Sequence, residues 1–303
     1  MRNEAAVDAA TPDDPAAAPS VLRRPADLPD WHIRCTTFGS AAVTTYLKGR
    51  GRAALAALLI MVAAPGTSGA QVTERLSIRG HEQLLHVYGP AGGPPVIVSS
   101  GDGGWFHLGP HVAELLAARG FFVVGFDVKA YLTGFTADAA TLRRADEPGD
   151  YKTLATFASA ATGRKPVLIG VSEGAGLSVL AATDPQTKAV IAGVVALGLT
   201  DLNELGWRWK DSLIYLTHHV PNEPTFSAAA MIAAVAPLPL ALVQSTHDEF
   251  APLADTRRMF ERASAPKRLW IVEAANHRFS NNLPEFDARL MEAIEWIQRN
   301  QSQ

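Results

Sequence analysis

Gly170-Val171-Ser172-Glu173-Gly174 is a G-x-S-x-G string, in which two glycines leave room around a single serine hydroxyl. Such a serine could attack a carbonyl carbon, but only with help. It needs a base to take its proton and an acid to orient that base. In the chain order serine, acid, histidine, the sequence supplies Asp248 within Ser245-Thr246-His247-Asp248-Glu249 and His277 within Glu273-Ala274-Ala275-Asn276-His277. Each follows an apolar run that reads as a strand, so both fall on the strand edge that carries Ser172. Glu249 or Asp255 could replace the acid, and His247 the base. His247 adjoins Asp248, however, and one loop would then have to fill both roles with opposed side-chain directions.

The tetrahedral oxyanion of such an attack needs main-chain donors. One is the amide of Glu173, directly after the nucleophile. The other comes from Ser100-Gly101-Asp102-Gly103-Gly104-Trp105, where the amide of Asp102 is the first candidate and that of Gly103 the second. The Asp102 carboxylate either caps the turn or meets a positive group on the substrate. Trp105, Phe106, Tyr131 and Trp207 are candidate substrate contacts, with Trp209, Tyr215 and Phe226 as further aromatic walls. Around Trp207 and Trp209 the aromatics alternate with Arg208 and Lys210, which suits either a membrane interface or a helix packed on the sheet.

These residues need a scaffold, and the hydrophobic pattern supplies one. Residues 73–78 and 83–88 read as strands joined at Arg79-Gly80. Continuous apolar runs at 95–100, 121–126, 166–169, 189–197, 238–244 and 268–272 read as strands buried on both faces. Helical spacing marks 108–119, 151–162, 175–183, 252–263 and 284–299, with a polar excursion at 133–150 and an insertion at about 200–236. Alternation of this kind implies an α/β fold, a mostly parallel central sheet with helices on both faces, over residues 71–303.

The composition agrees. The 303 residues are 48% hydrophobic and 19% charged, ample for a large core, and the net charge of −3 offers no basic field to hold nucleic acid. One cysteine, Cys35, excludes an internal disulfide framework, and nine scattered histidines, including His218-His219, lack metal-ligand spacing. Neither a metal nor an organic cofactor is expected.

Residues 1–47 are rich in Ala, Pro, Asp and Thr and read as a disordered extension. Residues 48–70 follow signal-peptide grammar: Lys48, Arg50 and Arg52, an apolar run at 53–64 shorter than the ~20 residues of a membrane span, then small residues at the exit. A signal so far from Met1 suggests a mis-assigned start, with initiation near Val43 or Leu47. A periplasmic location is the expectation.

The strings Ser100 to Trp105, Gly120 to Asp127 and Val167 to Gly176 resemble the VirJ/AcvB family of bacterial virulence-associated proteins, α/β-hydrolase-type domains of the periplasm. The resemblance implies hydrolysis of an ester, above all of aminoacylated phosphatidylglycerol in its lysyl form, with Ser172, Asp248 and His277 as a triad. The chain departs from that pattern at Tyr131-Leu132-Thr133, Val171 and Glu173. The expected partners are an ester or phospholipid substrate and a membrane surface, with neither nucleic acid nor an obligate protein partner. Two rivals differ in class or substrate: a non-catalytic envelope binding or secretion-assembly factor, and a small-molecule esterase.

Overall fold

A computed structural model describes residues 71–213 and 223–301. The expectations for residues 1–70, Cys35, Tyr215 and His218-His219 lie outside the described residues.

Strands β1 (Val72–Ile78) and β2 (His81–Tyr88) form an antiparallel hairpin in the register Ile78↔His81. Arg79 and Gly80 both take positive φ at the turn, as a two-residue hairpin loop of matching twist requires. The remaining strands of the main sheet are β3 (Pro95–Ser99), β4 (Phe122–Phe126), β5 (Val167–Val171), β6 (Gly193–Leu197), β9 (Leu240–Ser245) and β10 (Lys267–Val272). The sheet order is β1-β2-β4-β3-β5-β6-β9-β10; β2 meets β4 antiparallel, and every pairing from β4 onward is parallel.

Every residue of β3, β4, β5, β6 and β9 is buried. Alternate side chains feed two cores, one on each face. Val96, Val98, Val123 and Ile169 enter one, while Ile97, Val124 and Leu168 enter the other. Helices α1 (Leu108–Ala118) and α8 (Leu283–Asn300) cover the first core. On α8 the fully buried Phe286, Leu290, Ala293, Ile294 and Ile297 recur at helical spacing and form one apolar stripe. Truncating Leu290 to Ala there costs about 2–5 kcal/mol on the usual scale.

The second core lies under α3 (Glu147–Thr162), α4 (Glu173–Ala181), α6 (Ala228–Met231) and α7 (Leu253–Arg262). Three helices have no counterpart in the sequence reading: α6, within the insertion, and two more. α2 (Val128–Gly134) is capped by Asp127, whose carboxylate accepts from the amide of Ala130 at 3.0 Å. α5 (Pro185–Lys188) is capped in the same way by Asp184. The polar excursion therefore starts in a helix, and α3 begins a turn earlier than Tyr151, with Pro148 in its first turn. The insertion folds into a ribbon of β7 (Leu202–Glu204) and β8 (Thr225–Ser227), antiparallel to each other.

Candidate active site

Ser172 follows β5 without a spacer and is itself the N-cap of α4. Its φ of 52° and ψ of −115° are rare for a residue with a side chain, a strain of about 1–3 kcal/mol that the surroundings must impose. They do so through the main chain. The Ser172 amide donates to Leu197 O at 2.8 Å, and its carbonyl accepts from Ala175 N at 2.8 Å. A Cβ at Gly170 would overlap the Gly174 carbonyl, and one at Gly174 would lie 2.6 Å from Ser99 O, so both glycines of the string are sterically obligatory. The helix N-terminus behind the serine favours developing negative charge, and the Glu173 amide has no main-chain acceptor.

The loop from Gly101 to Gly104 faces this serine; a Cβ at Gly101 would sit 3.3 Å from Ser172 Cβ. The amides of Asp102 and Gly103 also lack main-chain acceptors. Trp105 fixes the loop. Its amide donates to Asp127 Oδ2 at 3.2 Å, its indole N–H to the Tyr88 hydroxyl at 3.3 Å, and its ring stacks on His86 with centroids 4.8 Å apart. The indole lies over Gly125 of β4, where any Cβ would overlap it. Trp105 is thus an anchor and not the substrate contact expected of it, because its ring is directed onto the sheet.

On the facing wall, His277 Nδ1 lies 2.7 Å from Asp248 Oδ2. Asp248 is buried, and burial alone would raise its pKa. The His277 hydrogen bond and charge, with the amides of Ala251 and Phe250, outweigh that and hold the carboxyl below its ordinary range. Gln244 Nε2 adds a further donor at 2.8 Å. An ionised Asp248 places the imidazole hydrogen on Nδ1, which leaves Nε2 as the basic nitrogen. That Nε2 is buried and has no hydrogen-bond partner, and none joins it to the Ser172 hydroxyl.

The rivals separate cleanly. The His247 side chain is 71% exposed, Asp255 pairs with Arg258, and Glu249 accepts from the backbone amide of His277 at 2.8 Å. Phe250 meets the imidazole edge-on at 5.4 Å. Sequence reasoning missed Gly198. At φ 60° it follows β6, and a Cβ there would lie 2.6 Å from His277 Cε1, so the ring has its place only because the residue is glycine.

Ser172, His277, Asp102, Gly103 and Glu173 line one cavity of about 590 Å³. Phe106, Leu202 and Phe250 line it too and are 71%, 47% and 38% exposed, which gives its mouth an apolar rim. Part of its wall is acidic, although Arg278 lines it too. Glu173 is buried, its Oε1 accepts from the amide of Glu204 at 2.7 Å, and burial with the nearby charges of Asp102 and Glu204 pushes its pKa well up. Glu204 is pushed up to about 8 by burial and by Asp102, Asp211 and Glu223. Nothing in the sequence pointed to Glu204, because only the fold of the insertion brings it to this wall.

Four further expected contacts are corrected. Tyr131 is fully buried and donates to Asp150 Oδ2 at 2.6 Å, so it is a core residue below the sheet edge. Trp207 packs against the core, with Lys129 Nζ 4.1 Å above its ring. Phe226 is buried, and Trp209 is 79% exposed without lining the cavity. Among the described residues no group of three His, Cys, Asp or Glu has the arrangement of a metal site.

A serine on a strained strand-to-helix turn, in this sheet order and with a histidine loop three strands on, defines an α/β-hydrolase fold. The chain is similar to the α/β hydrolase GrgF from Penicillium sp. sh18, with 14% identity, a TM-score of 0.58, and coverage of 77% of this chain and 99% of that one. It is also similar to an esterase of Pyrococcus furiosus, at 16% identity, TM-score 0.57, and 75% and 90% coverage. A protein described as a membrane phospholipase A, a novel bacterial virulence factor, matches at 14% identity, TM-score 0.54, and 75% and 87% coverage. No curated protein sequence matches. The profile of the bacterial virulence protein (VirJ) family matches residues 95–295, well over half the sequence, and the chain belongs to that family.

Proposed function

We propose that this chain is a serine hydrolase that cleaves a carboxylic ester. His277 Nε2 takes the proton of Ser172 Oγ as the oxygen attacks the ester carbonyl carbon. The oxyanion so formed accepts from the amides of Glu173 and Asp102, with Gly103 in reserve. The bond to the alcohol breaks, the imidazolium returns its proton to the leaving oxygen, and an acyl-serine remains. Water repeats the sequence from the other side and frees the acid. Asp248 keeps the imidazole in the required tautomer throughout.

One observation carries this reading. A buried, unpartnered Nε2 on a histidine held by an ionised aspartate opens on the same cavity as a strained serine. Nucleophile–base bonds of this kind tighten in the substrate complex. Their absence here would equally suit the rival, an envelope factor that binds without turnover. A fluorophosphonate probe decides between them. Labelling of the wild-type chain that disappears in Ser172→Ala supports the hydrolase, and a wild-type chain that stays unlabelled supports the binding protein. Turnover of a 4-nitrophenyl ester is expected to fall about 10⁶-fold in Ser172→Ala, with the circular dichroism unchanged.

For the substrate, the finer reading is an aminoacylated phospholipid such as lysyl-phosphatidylglycerol, hydrolysed in the periplasm. Membership of a bacterial virulence family, the apolar rim of the cavity and the basic-then-apolar grammar of residues 48–70 support it. No helix among the described residues is long and apolar enough to cross a membrane. Release of lysine from lysyl-phosphatidylglycerol vesicles, measured against short-chain esters, tests this against a small-molecule esterase.

A further inference from the structure

The two carboxylate oxygens of Asp248 are secured by different routes. Oδ1 accepts from the main-chain amides of Phe250 at 2.9 Å and Ala251 at 2.7 Å, so its own loop holds it. Oδ2 accepts from His277 Nδ1 at 2.7 Å and from Gln244 Nε2 at 2.8 Å. The same Gln244 nitrogen donates its second hydrogen to Ala251 O at 2.7 Å. One side-chain amide therefore ties both ends of the turn from Asp248 to Ala251.

Gln244 stands one residue before the end of β9 and is fully buried. Its neighbours Leu242 and Val243 are apolar and enter one core each, and a sheet interior has no general need of an amide there. Its Oε1 is buried without a hydrogen-bond partner. That orphan oxygen costs stability that an apolar side chain of similar volume would not. The loops around it are fastened by other groups: Glu249 accepts from the His277 amide, and Ser245 Oγ donates to Ala274 O at 2.9 Å. Neither reaches the Asp248 carboxylate. The last torsion of an aspartate is broad, so amides on Oδ1 alone leave Oδ2 free to tilt. A second donor on Oδ2 removes that freedom.

We propose that Gln244 is a positioning residue, whose amide holds Asp248 Oδ2 on His277 Nδ1 and so keeps the imidazole hydrogen off the nitrogen that must receive the Ser172 proton. Its kinetic consequence rests on the hydrolase reading, while the tautomer it sets does not. Gln244 does not line the cavity and acts through Asp248 alone.

Gln244→Met removes both donated hydrogen bonds at similar volume. It is expected to lower kcat on a 4-nitrophenyl ester about 10- to 100-fold, with KM changed less than about twofold. Gln244→Glu is expected to rescue turnover only while the new carboxyl keeps its proton. Protonated, it donates to Asp248 Oδ2; ionised, it opposes that charge. Its kcat relative to wild type should therefore decline as pH rises from about 6 to about 9, at temperatures where circular dichroism shows both chains folded. A Gln244→Met kcat within about threefold of wild type, or a Gln244→Glu ratio that ignores pH, overturns the proposal.

Nitrogen NMR of the histidine rings separates this failure from that of the hydrolase reading, because it requires no turnover. In Ser172→Ala the neutral His277 ring is expected to carry its hydrogen on Nδ1, and in Ser172→Ala/Gln244→Met to divide it between Nδ1 and Nε2. A divided ring supports the positioning role even if the wild-type chain cleaves no ester. The same tautomer in both chains overturns it, whatever the ester assay gives.

Discussion

Asp248 and Glu204 are both buried carboxyls, one behind His277 and the other on the wall of the cavity that His277 lines, yet the protein treats them in opposite ways. Asp248 accepts hydrogen bonds from His277, Gln244, Phe250 and Ala251, and its pKa falls. Glu204 has an oxygen with no donor, and burial with the charges of Asp102, Asp211 and Glu223 lifts its pKa to about 8. Burial is common to both, so burial does not decide the charge. The supply of N–H donors does. One carboxyl keeps a fixed negative charge for its own histidine, and the other, short of donors, holds its proton to higher pH.

The largest test of this contrast is Asp248→Asn. It preserves shape but presents an amide to Nδ1, so the tautomer that leaves Nε2 basic loses its support. A fall of about 10⁴ in kcat is expected, measured on a 4-nitrophenyl ester. A fall under tenfold would mean that the donor-rich wall is merely structural.

Gly198→Ala asks whether position matters as much as charge. The new methyl would meet His277 Cε1, displacing the ring by a fraction of an ångström to about an ångström and costing about 10²-fold in kcat/KM, while thermal unfolding confirms the fold.

The smallest effect concerns stability. Glu204 binds its proton more tightly folded than unfolded, so its contribution is full below the unfolded value near 4.5 and is lost as pH rises through about 8. For Asp248 the sign is reversed: its contribution is present above the unfolded value and vanishes as pH falls through the lower folded one. Glu204→Gln should therefore flatten the decline of Tm between about pH 5 and pH 8 without altering the acid limb below about pH 4. Differential scanning calorimetry across that range checks both halves.

The sequence made one wall far more legible than the other. Ser172, Asp248 and His277 each sit just past an apolar strand, and strand ends are easily read from a continuous run of buried residues. Strand-end placement favours Asp248 without separating it from its neighbour Glu249, and the 2.7 Å contact with His277 agrees with Asp248. Glu204 lies in a three-residue strand of the insertion, with no period to mark it, and reaches the cavity through a ribbon whose partner strand is twenty residues away. Gly198 is a lone glycine after a strand, indistinguishable in sequence from an ordinary turn residue until the imidazole is seen above it. Tyr131 erred for a related reason. An aromatic just beyond β4 can turn outward to a substrate or inward to Asp150, and only the helix α2, capped by Asp127 and hidden by Thr133 and Gly134, sends it inward.

Trp105 and Phe106 are consecutive, yet one ring is wedged against a gap in β4 and the other stands in solvent at the cavity mouth. The wedge holds the two candidate oxyanion amides regardless of what its neighbour does. Phe106 is consequently a free variable. Exchanging it for smaller or polar side chains would retune which chains enter the cavity while the reaction chemistry beneath stays put, an arrangement that lets a lineage shift its diet without rebuilding its engine.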